Sequence, residues 1–395
     1  MVARDVWILG GVRTPMAEYN GRFRSLSEVE LGALAARGAL EKAGVAPGSV
    51  DHVIFGNALQ TSGNAVYGAR HVALKAGLAV QVPALTVNRL CGSGIQSIIS
   101  AVHLIRCDEA RCVLAGGMEN MSQAPHVIRG ARVGLKLGEG KLEDSLMVAL
   151  LDSYCGLYMA QTAEKIARER DIARKEQDAF ALRSQQRAQA AYDAGKFKDE
   201  IVPVTVREGR KESVVGEDDH RRPDTTLEGL AKLSPAFDRE GTVTAGNASG
   251  IVDGAAAVLI SSDPGLGGKK PLGRIVSWGI VGVEPSLMGI GPVPATRQAL
   301  EVAGLSLEEI DLVEVNEAFA AQYLAVEKDL RLDRERVNVN GGAIALGHPL
   351  GATGTRLVLT LLLELKRRGG RYGLATACIG GGQGIALVVE SAGRG

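Results

Sequence analysis

The sequence predicts an α/β protein made of two similar α/β units with a different segment between them. Three observations lead to this prediction. A helix-and-strand pattern recurs far along the chain, glycine-rich turns follow predicted strands, and the stretch between the two copies is polar and helix-rich. Alternating helices and strands are typical of a sheet covered by helices.

The composition is that of a globular protein with no dominant charge. The chain has 395 residues, of which 46% are hydrophobic and 23% are charged. At about 100–200 residues per domain, this length predicts two or three domains. Lys+Arg is 45 and Asp+Glu is 45. This balance excludes a chain that works mainly as a basic nucleic-acid clamp or as an acidic disordered tail.

The cysteines and the N-terminal residues predict the compartment. The chain has five cysteines without a CxxC pair, and its first residues lack a basic segment followed by an apolar signal core. It also lacks an apolar run of about 18 residues, the length that a membrane-spanning helix needs. We therefore expect free thiols, a cytoplasmic location and no membrane partner.

The first element pair, in both copies, is a helix followed by a strand. Residues 37–44 and 297–304 each predict a helix that ends at a glycine, and residues 51–53 and 311–313 each begin a strand. Chance similarity is the alternative to a duplication. The shared glycine, the shared aspartate and the shared order of elements favour the duplication.

The second element pair is again a helix followed by a strand. Apolar residues recur at helical spacing over 95–105 and over 357–365. Strands ending near Gly117 and Cys378 follow these helices.

The stretch between the copies has a different character. Residues 159–195 are rich in Ala, Gln, Arg and Glu, which predicts one long amphipathic helix. Residues 207–232 are polar and are predicted to form loops, and residues 252–260 predict a strand that returns to the first unit. The predicted division is therefore 1–122 with 248–270, then 123–247 as an inserted domain, then 271–395.

Cys91 is the first candidate for chemistry. It follows a strand-like segment and precedes a predicted helix, with Gly92 and Gly94 beside it. The N-terminal end of a helix stabilises a thiolate, and glycines let a substrate carbonyl approach the backbone. The alternative is a buried structural cysteine.

Two more candidates lie in glycine-rich loops of the second copy. His348 precedes a predicted helix, and Cys378 ends a predicted strand. The alternative for His348 is a structural histidine with satisfied hydrogen bonds, and the alternative for Cys378 is an inert core thiol. A Cys/His pair is the minimum for nucleophilic thiol catalysis, and a further proton-transfer group suits chemistry that protonates carbon.

Asn316 and Glu317 lie between a predicted strand and a predicted helix. The plain interpretation is a helix cap, whereas an Asn can instead hold a water or donate to an oxyanion.

Other kinds of site are not supported. The remaining histidines have no metal-ligand spacing with the cysteines, so we expect no metal. No GxGxxG follows a first strand, which argues against dinucleotide binding.

Taken together, these motifs resemble the thiolase family over essentially the whole chain. The resemblance is carried by NRLCGSG (88–94), GGMENMS (116–122), NASG (247–250), NEAF (316–319), GHPLG (347–351) and CIGGG (378–382). Within the family, the chain is most similar to 3-ketoacyl-CoA thiolases of the mitochondrial type, which in turn are similar to bacterial acetoacetyl-CoA thiolases.

The resemblance implies a fold and an activity. The fold is two five-layer αβαβα halves with an inserted loop domain that binds coenzyme A. The activity is reversible thiolytic cleavage of 3-ketoacyl-CoA, including acetoacetyl-CoA, and Claisen condensation of acetyl-CoA through an acyl-cysteine. Coenzyme A is then a substrate, no cofactor is tightly bound, and the expected assembly is a homotetramer, with a dimer as the minimum.

The resemblance also implies roles for the candidate residues. Cys91 is the expected nucleophile, His348 its base, and Cys378 the acid/base at the acetyl α-carbon. Asn316 would hold a water that, with His348, stabilises the enolate oxygen. The backbone amides of Cys91 and Gly380 would form a second oxyanion hole.

Seven further residues are implied to contact the substrate. Those expected at coenzyme A are Arg222, Thr225 and Ser249, and those lining the acyl and pantetheine channel are Met159, Phe237, Met288 and Phe319. Tyr158 departs from the family pattern, since the mitochondrial type often has Pro there. It either shortens the acyl pocket or turns outward.

Two alternatives to a thiolase were weighed. One is a related condensing enzyme of the ketoacyl-synthase kind, which normally lacks a second catalytic cysteine. The other is a non-catalytic thiolase-like binding protein, which would have lost the nucleophile or the base. Cys91, His348 and Cys378 are all present and argue against both.

Overall fold

The structure is a computed structural model that describes residues 4–393. The outer ends of the two predicted halves, residues 1–3 and 394–395, lie outside the described residues. The strands, in chain order, are β1 (Trp7–Arg13), β2 (Ala17–Glu18), β3 (His52–Gly56), β4 (Ala84–Val87), β5 (Cys112–Glu119), β6 (His126–Ile128), β7 (Leu142–Asp144), β8 (Leu151–Asp152), β9 (Leu157–Tyr158), β10 (Val204–Glu208), β11 (Lys211–Val215), β12 (Val252–Ser261), β13 (Gly273–Gly282), β14 (Leu312–Val315), β15 (Tyr372–Ile379) and β16 (Gln383–Ser391).

The α-helices are α1 (Glu28–Ala43), α2 (Gly68–Lys75), α3 (Ser93–Arg106), α4 (Ser145–Ala149), α5 (Met159–Glu169), α6 (Arg174–Asp193), α7 (Leu227–Ala231), α8 (Pro292–Ala303), α9 (Ala320–Leu330), α10 (Ala343–Leu346) and α11 (Leu350–Arg368). None of the helices in residues 4–393 has the length and apolar character needed to cross a membrane.

The main strands form one sheet in which each half of the chain repeats the same arrangement. The order is β14-β15-β16-β13-β1-β12-β5-β3-β4, with β2 paired to β12. In the first half, β5 pairs parallel with β3 and antiparallel with β12. In the second half, β15 pairs parallel with β14 and antiparallel with β16. Two residue pairs, Trp7 with Arg274 and Ile8 with Gly273, join the halves.

Helices lie on both sides of each half. The central helices α3 and α11 share one apolar cluster with strands of both halves. Helices α1 and α2 cover the outer face of the first half, and α8 and α9 cover that of the second. The predicted ends of α1 and α8 are found at Gly44 and Gly304, which have φ of 72° and 66°.

Two glycines let the central helices approach closely near their first turns. A Cβ at Gly94 would lie 2.4 Å from the backbone nitrogen of Thr355, and one at Gly354 would lie 2.4 Å from that of Ile95. No real Cβ tolerates such a distance, so the crossing requires glycine on both helices. This crossing brings together the chain segments that precede α3 and α11.

Two local predictions for the inserted stretch are wrong. The single helix over 159–195 is two helices, α5 and α6, separated at 170–173, where Asp171 has a φ of 52°. The stretch 207–232 is not all loop, since it contains the hairpin of β10 and β11 and the short helix α7. Gly209, with a φ of 62°, forms the turn of that hairpin.

Candidate active site

A cavity of about 380 Å³ lies where the two halves and the inserted stretch meet. Nine of the twelve predicted site residues line it. They are Cys91, His348, Cys378, Gly380, Ser249, Met159, Phe237, Met288 and Phe319. Because these residues come from distant parts of the sequence, their convergence tests the sequence interpretation more strongly than any single motif does.

Cys91 lies in a short 3-10 turn, 90–92, directly before α3. The turn is held from both sides. The Asn88 side chain accepts from the Leu90 amide at 2.9 Å, and the Ser93 hydroxyl accepts from Arg89 N–H and donates to the Leu90 carbonyl. Leu90 has a φ of 45°, so the turn is strained at the residue before Cys91.

Burial controls the protonation of Cys91. Desolvation raises the pKa of the Cys91 thiol to about 11, although hydrogen bonds from the Gly380 amide and from its own amide act in the opposite direction. Burial and the backbone donors therefore act on the pKa of Cys91 in opposite directions, and burial has the larger effect. That the start of α3 stabilises a thiolate stays a prediction. The two amides predicted to form an oxyanion hole do act on the Cys91 sulfur.

His348 is buried and held in one orientation. Its amide donates to the Gly250 carbonyl at 2.9 Å, and its Nδ1 lies 2.7 Å from the Thr353 hydroxyl. That hydroxyl donates its single hydrogen to the Pro349 carbonyl at 3.1 Å, so it accepts from His348. Nδ1 therefore carries the ring hydrogen, and Nε2 presents a lone pair.

The surroundings of His348 keep it neutral. Burial, and secondarily the nearby Arg356 guanidinium, lower the pKa of the imidazole to about 3. A neutral imidazole whose Nε2 carries a lone pair can accept a proton from a thiol at physiological pH. Thr353 was not singled out from the sequence as a site residue. The feature of the sequence that could have identified Thr353 is its position five residues after His348, in the first turn of α11.

Cys378 lies at the end of β15 in an apolar pocket. Only 1% of it is exposed, and it packs with Met288 and Ala318, with Met159 and Phe319 beside them. Burial, and secondarily the neighbouring Cys91 sulfur, raise the pKa of the Cys378 thiol. Cys378 is therefore a protonated thiol beside Cys91, and a protonated group is what a proton donor to carbon needs.

Asn316 contacts the ring of His348 and is not one of the residues that line the cavity. Its Nδ2 is 3.3 Å from His348 Nε2, and its backbone amide donates to the Thr376 carbonyl. Its buried Oδ1 accepts no hydrogen bond from the described residues. The helix-cap interpretation is wrong, because α9 begins at Ala320 and the residue before it is Phe319.

Two buried carboxylates hold the loops that carry these groups. Glu317 accepts from Ser184 Oγ at 2.7 Å, from Asn338 Nδ2 at 2.8 Å and from the Ile344 amide. These contacts brace the glycine-rich loop before His348. Glu317 was considered only together with Asn316 in the sequence, as part of a possible cap.

Glu119 is the second of these carboxylates. It accepts from the amides of Ala58, Leu59 and Gly351, which lies in the first turn of α11. Burial nevertheless raises the pKa of Glu119 to about 8. It ties the end of β5 to the start of α11. Its signal in the sequence was its place in the motif at 116–122.

Arg222 and Thr225 lie outside the first cavity. They line a second cavity of about 470 Å³ together with Glu18, His220 and Gln185. The segment 245–250 separates the two cavities, since Ala245 and Gly246 line the second and Ala248–Gly250 line the first.

No cluster of three or more His, Cys, Asp or Glu side chains among residues 4–393 could hold a metal ion.

The comparisons with known proteins identify one family over nearly the whole chain. Residues 6–263 match the thiolase N-terminal domain, and residues 269–391 match the thiolase C-terminal domain. The chain is 53% identical to human mitochondrial 3-ketoacyl-CoA thiolase over 393 residues, which is 98% of each chain. It is 50% identical to an acetyl-CoA acetyltransferase of Shinella zoogloeoides over 387 residues, 97% of this chain and 98% of the relative.

Solved structures show the same likeness. The crystal structure of the human mitochondrial enzyme superimposes with a TM-score of 0.97, covering 99% of this chain and 100% of that one. A second crystal structure of that enzyme, in complex with CoA, has a TM-score of 0.96 at 53% identity and covers 99% of this chain and 98% of that one. The Bacillus anthracis acetyl-CoA acetyltransferase has a TM-score of 0.96 at 45% identity, covering 98% and 99%.

The comparisons contradict the predicted cytoplasmic location. The five mammalian relatives are all named as mitochondrial enzymes, and these names point to a mitochondrial rather than a cytoplasmic location. The prediction was wrong because free cysteines indicate a reducing environment without distinguishing one such compartment from another.

Proposed function

The chain belongs to the thiolase family, and from that premise we propose that it uses Cys91, His348 and Cys378 to make and break a carbon–carbon bond next to a coenzyme A thioester. The family matches confirm the predicted fold class and the predicted acyltransferase activity. The observation that carries the assignment of the residues is their convergence in one cavity.

The cleavage reaction begins with Cys91. Its sulfur attacks the 3-carbonyl carbon of a 3-ketoacyl-CoA while its proton passes to His348 Nε2. The bond between C2 and C3 then breaks, the acyl group stays on Cys91, and the electron pair remains on acetyl-CoA as an enolate. The Cys378 thiol gives its proton to C2, which releases acetyl-CoA.

The second half-reaction restores the enzyme. The Cys378 thiolate takes the proton of the coenzyme A thiol, and the coenzyme A sulfur attacks the acyl group on Cys91. The Cys91 sulfur leaves and recovers its proton from His348. Condensation of two acetyl-CoA molecules follows the same steps in reverse, so the same groups serve both directions.

The protonation states of the groups support these roles. Cys91 has a raised pKa and His348 a lowered one, so both are neutral before reaction. The transfer of the Cys91 proton to His348 then accompanies the attack of the Cys91 sulfur on the carbonyl carbon and does not precede it. The raised pKa of Cys378 keeps it protonated until the enolate, a stronger base, forms beside it.

Backbone and side-chain donors would stabilise the developing charges. The amides of Cys91 and Gly380 are directed at the Cys91 sulfur, where they would reach the oxygen of a tetrahedral adduct. The Asn316 amide, 3.3 Å from His348 Nε2, supports the proposed site for the enolate oxygen. Removing one such donor typically costs about 3 kcal/mol of transition-state stabilisation.

We propose that coenzyme A extends across the segment 245–250. Its thiol end would lie in the first cavity beside Ser249, and its nucleotide end would lie in the second cavity beside Arg222 and Thr225. Polar and charged side chains at the second cavity suit a phosphate-bearing ligand, and the apolar wall of the first suits pantetheine and the acyl chain.

Tyr158 would limit the acyl chain. It lines the first cavity, and its ring lies 6.1 Å from that of Phe237, so the outward position considered for it is not the one found. We propose that this aromatic pair closes the acyl end of the cavity.

The proposed division of the chain follows the same elements. Residues up to 122 together with 248–270 contribute β1–β5 and β12, and residues from 271 contribute β13–β16. The intervening residues 123–247 carry Arg222 and Thr225.

We propose a tetramer built from dimers. β4 is the outer strand of the sheet, and exposed apolar side chains lie beside it, with Val66 69% and Tyr67 59% exposed. A second exposed apolar group lies between β6 and β7, with Val133 90% exposed and Leu137 fully so. Unpaired strand edges and apolar patches of this kind are typical of subunit interfaces.

Analytical sedimentation of the wild type and of Leu137→Glu tests the proposed tetramer. We expect a tetramer for the wild type and a dimer for the variant.

The catalytic assignment is tested by acetyl labelling. Wild-type protein and a Cys107→Ala control, in which an exposed thiol is removed, should each gain one acetyl group from acetyl-CoA by intact mass. Cys91→Ala should gain none, and its thiolysis of acetoacetyl-CoA should fall by at least about 10⁴-fold. Acetylation of the Cys91→Ala variant would contradict the assignment.

A further inference from the structure

A carboxylate occupies the cationic side of the second cavity. Glu18 lies in the cavity wall, and its Oε1 is 2.9 Å from His220 Nδ1. The same carboxylate accepts from Arg222 Nη2 at 2.5 Å. The Arg222 guanidinium and the His220 ring in this wall therefore already have a carboxylate as a partner.

Arg222 is folded back over its own segment. Its Nη1 donates to the carbonyls of Asp219, His220 and Arg221, at 3.2, 2.8 and 3.1 Å. Even so, 56% of its side chain is exposed. The guanidinium is thus held by hydrogen bonds at the surface of the cavity and is not locked in by packing, so it can change partners.

Glu18, by contrast, is fixed. It belongs to β2, which pairs with β12 through Val252, and its backbone amide donates to Asp219 Oδ1 at 2.6 Å. The backbone that carries this carboxylate is therefore held next to the cavity whichever way Arg222 turns.

We propose that Glu18 sets the affinity for the phosphate groups of coenzyme A by holding Arg222 until a phosphate replaces Glu18 as the acceptor. The inference rests on the proposed function, since it takes Arg222 as a coenzyme A contact. Binding then requires that the pair between Glu18 and Arg222 be broken, and the released carboxylate repels the phosphate. Glu18 weakens coenzyme A binding and favours release, and it has no effect on a ligand without phosphate.

The experiment compares three single variants by calorimetry with coenzyme A and with pantetheine, which lacks the nucleotide and its phosphates. Glu18→Gln should lower the Kd for coenzyme A about threefold, the scale of one partly exposed ion pair, and leave the Kd for pantetheine unchanged. Arg222→Ala should raise the Kd for coenzyme A about tenfold. Glu41→Gln, which removes a carboxylate from the exposed end of α1, should change neither.

A double variant separates a specific effect from a structural one. In the Arg222→Ala background, Glu18→Gln should lower the Kd for coenzyme A much less, because the residue that Glu18 holds is gone. Glu18→Ala should act in the same direction as Glu18→Gln, which guards against an artefact of the glutamine.

The experiment distinguishes a failure of the inference about Glu18 from a failure of the proposed coenzyme A contact at Arg222. If Arg222→Ala weakens coenzyme A binding but Glu18→Gln leaves it unchanged or weakens it, Glu18 is only a structural support and the inference is overturned while the proposed function stands. If Arg222→Ala has no effect on coenzyme A binding, the proposed contact itself is wrong.

Discussion

The central helices α3 and α11 are corresponding elements of the two halves, and each begins beside a reacting side chain. Gly94 and Gly354, where the helices cross, are separated by the same interval as the repeated segments 37–44 and 297–304. Cys91 lies just before α3, and His348 lies just before α11. One crossing of two equivalent helices therefore brings the proposed nucleophile and its proposed base to the same cavity.

The two helix starts differ in what surrounds the reacting group. Cys91 lies in a turn at the cavity, and backbone amides act on its sulfur. His348 is buried, and side chains, those of Thr353 and Asn316, contact its ring. The comparison supports the proposal that the first half presents the atom that carries the acyl group, whereas the second half, which also supplies Cys378, handles the protons.

The largest expected effect is the loss of the base. His348→Asn should lower kcat/KM for thiolysis of acetoacetyl-CoA by about 10²–10⁴-fold, since a positioned base contributes that much. His103→Asn, at an exposed histidine in the last turn of α3, is the control and should leave kcat/KM unchanged. Equal losses in both variants would mean that the second half does not supply the base.

The comparison also predicts a pH profile. The pKa of His348 is lowered to about 3, so the imidazole stays neutral as pH falls through 6.5, where an ordinary histidine gains a proton. Such a base becomes protonated, and therefore inactive, only when the pH falls to its lowered pKa. The kcat/KM of the wild type should therefore show no acid limb near pH 6.5 down to about pH 5. A clear limb near pH 6.5 would show that the ring is solvated in the working enzyme.

A smaller effect is expected from widening the helix crossing. Gly94→Ala places a Cβ against the Thr355 nitrogen, and we expect unfolding free energy to fall by about 1–3 kcal/mol. Gly48→Ala, whose Cβ meets nothing within 4 Å, is the control. Denaturant unfolding measures both. If the two variants were equally stable, the close approach of α3 and α11 would be incorrect.

The smallest effect concerns the orientation of His348. Thr353→Val removes the hydroxyl that accepts from Nδ1, and kcat/KM should fall about tenfold. Thr353→Ser keeps the hydroxyl and should restore most of the activity. A serine variant as impaired as the valine variant would indicate that the methyl group, not the hydroxyl, is what matters at this position.

Much of this arrangement was predictable from the sequence. Glycines mark the ends of α1 and α8, and the strand–turn–helix pattern locates Cys91 before α3. The convergence of Cys91, His348 and Cys378 followed from family resemblance, since nothing in the local pattern brings residues so distant in sequence into one cavity.

The features that could not be predicted from the sequence depend on tertiary packing. The break between α5 and α6 has no Gly or Pro to mark it, and it falls at Asp171. The raised pKa of Cys91 and the lowered pKa of His348 arise from burial, which only the assembled halves produce. The contact of Glu18 with Arg222 joins residues far apart in the chain and has no local signal.

The most direct test of the division of labour is to compare two rates in Cys378→Ser. Exchange of the acetyl α-protons of acetyl-CoA in deuterated water reports on proton transfer at carbon, and the rate of acetylation of Cys91 reports on acyl transfer. We predict that exchange slows by about 10²–10⁴-fold while acetylation slows by less than about tenfold. Equal slowing of the two rates would contradict the assignment of the carbon-directed proton to Cys378.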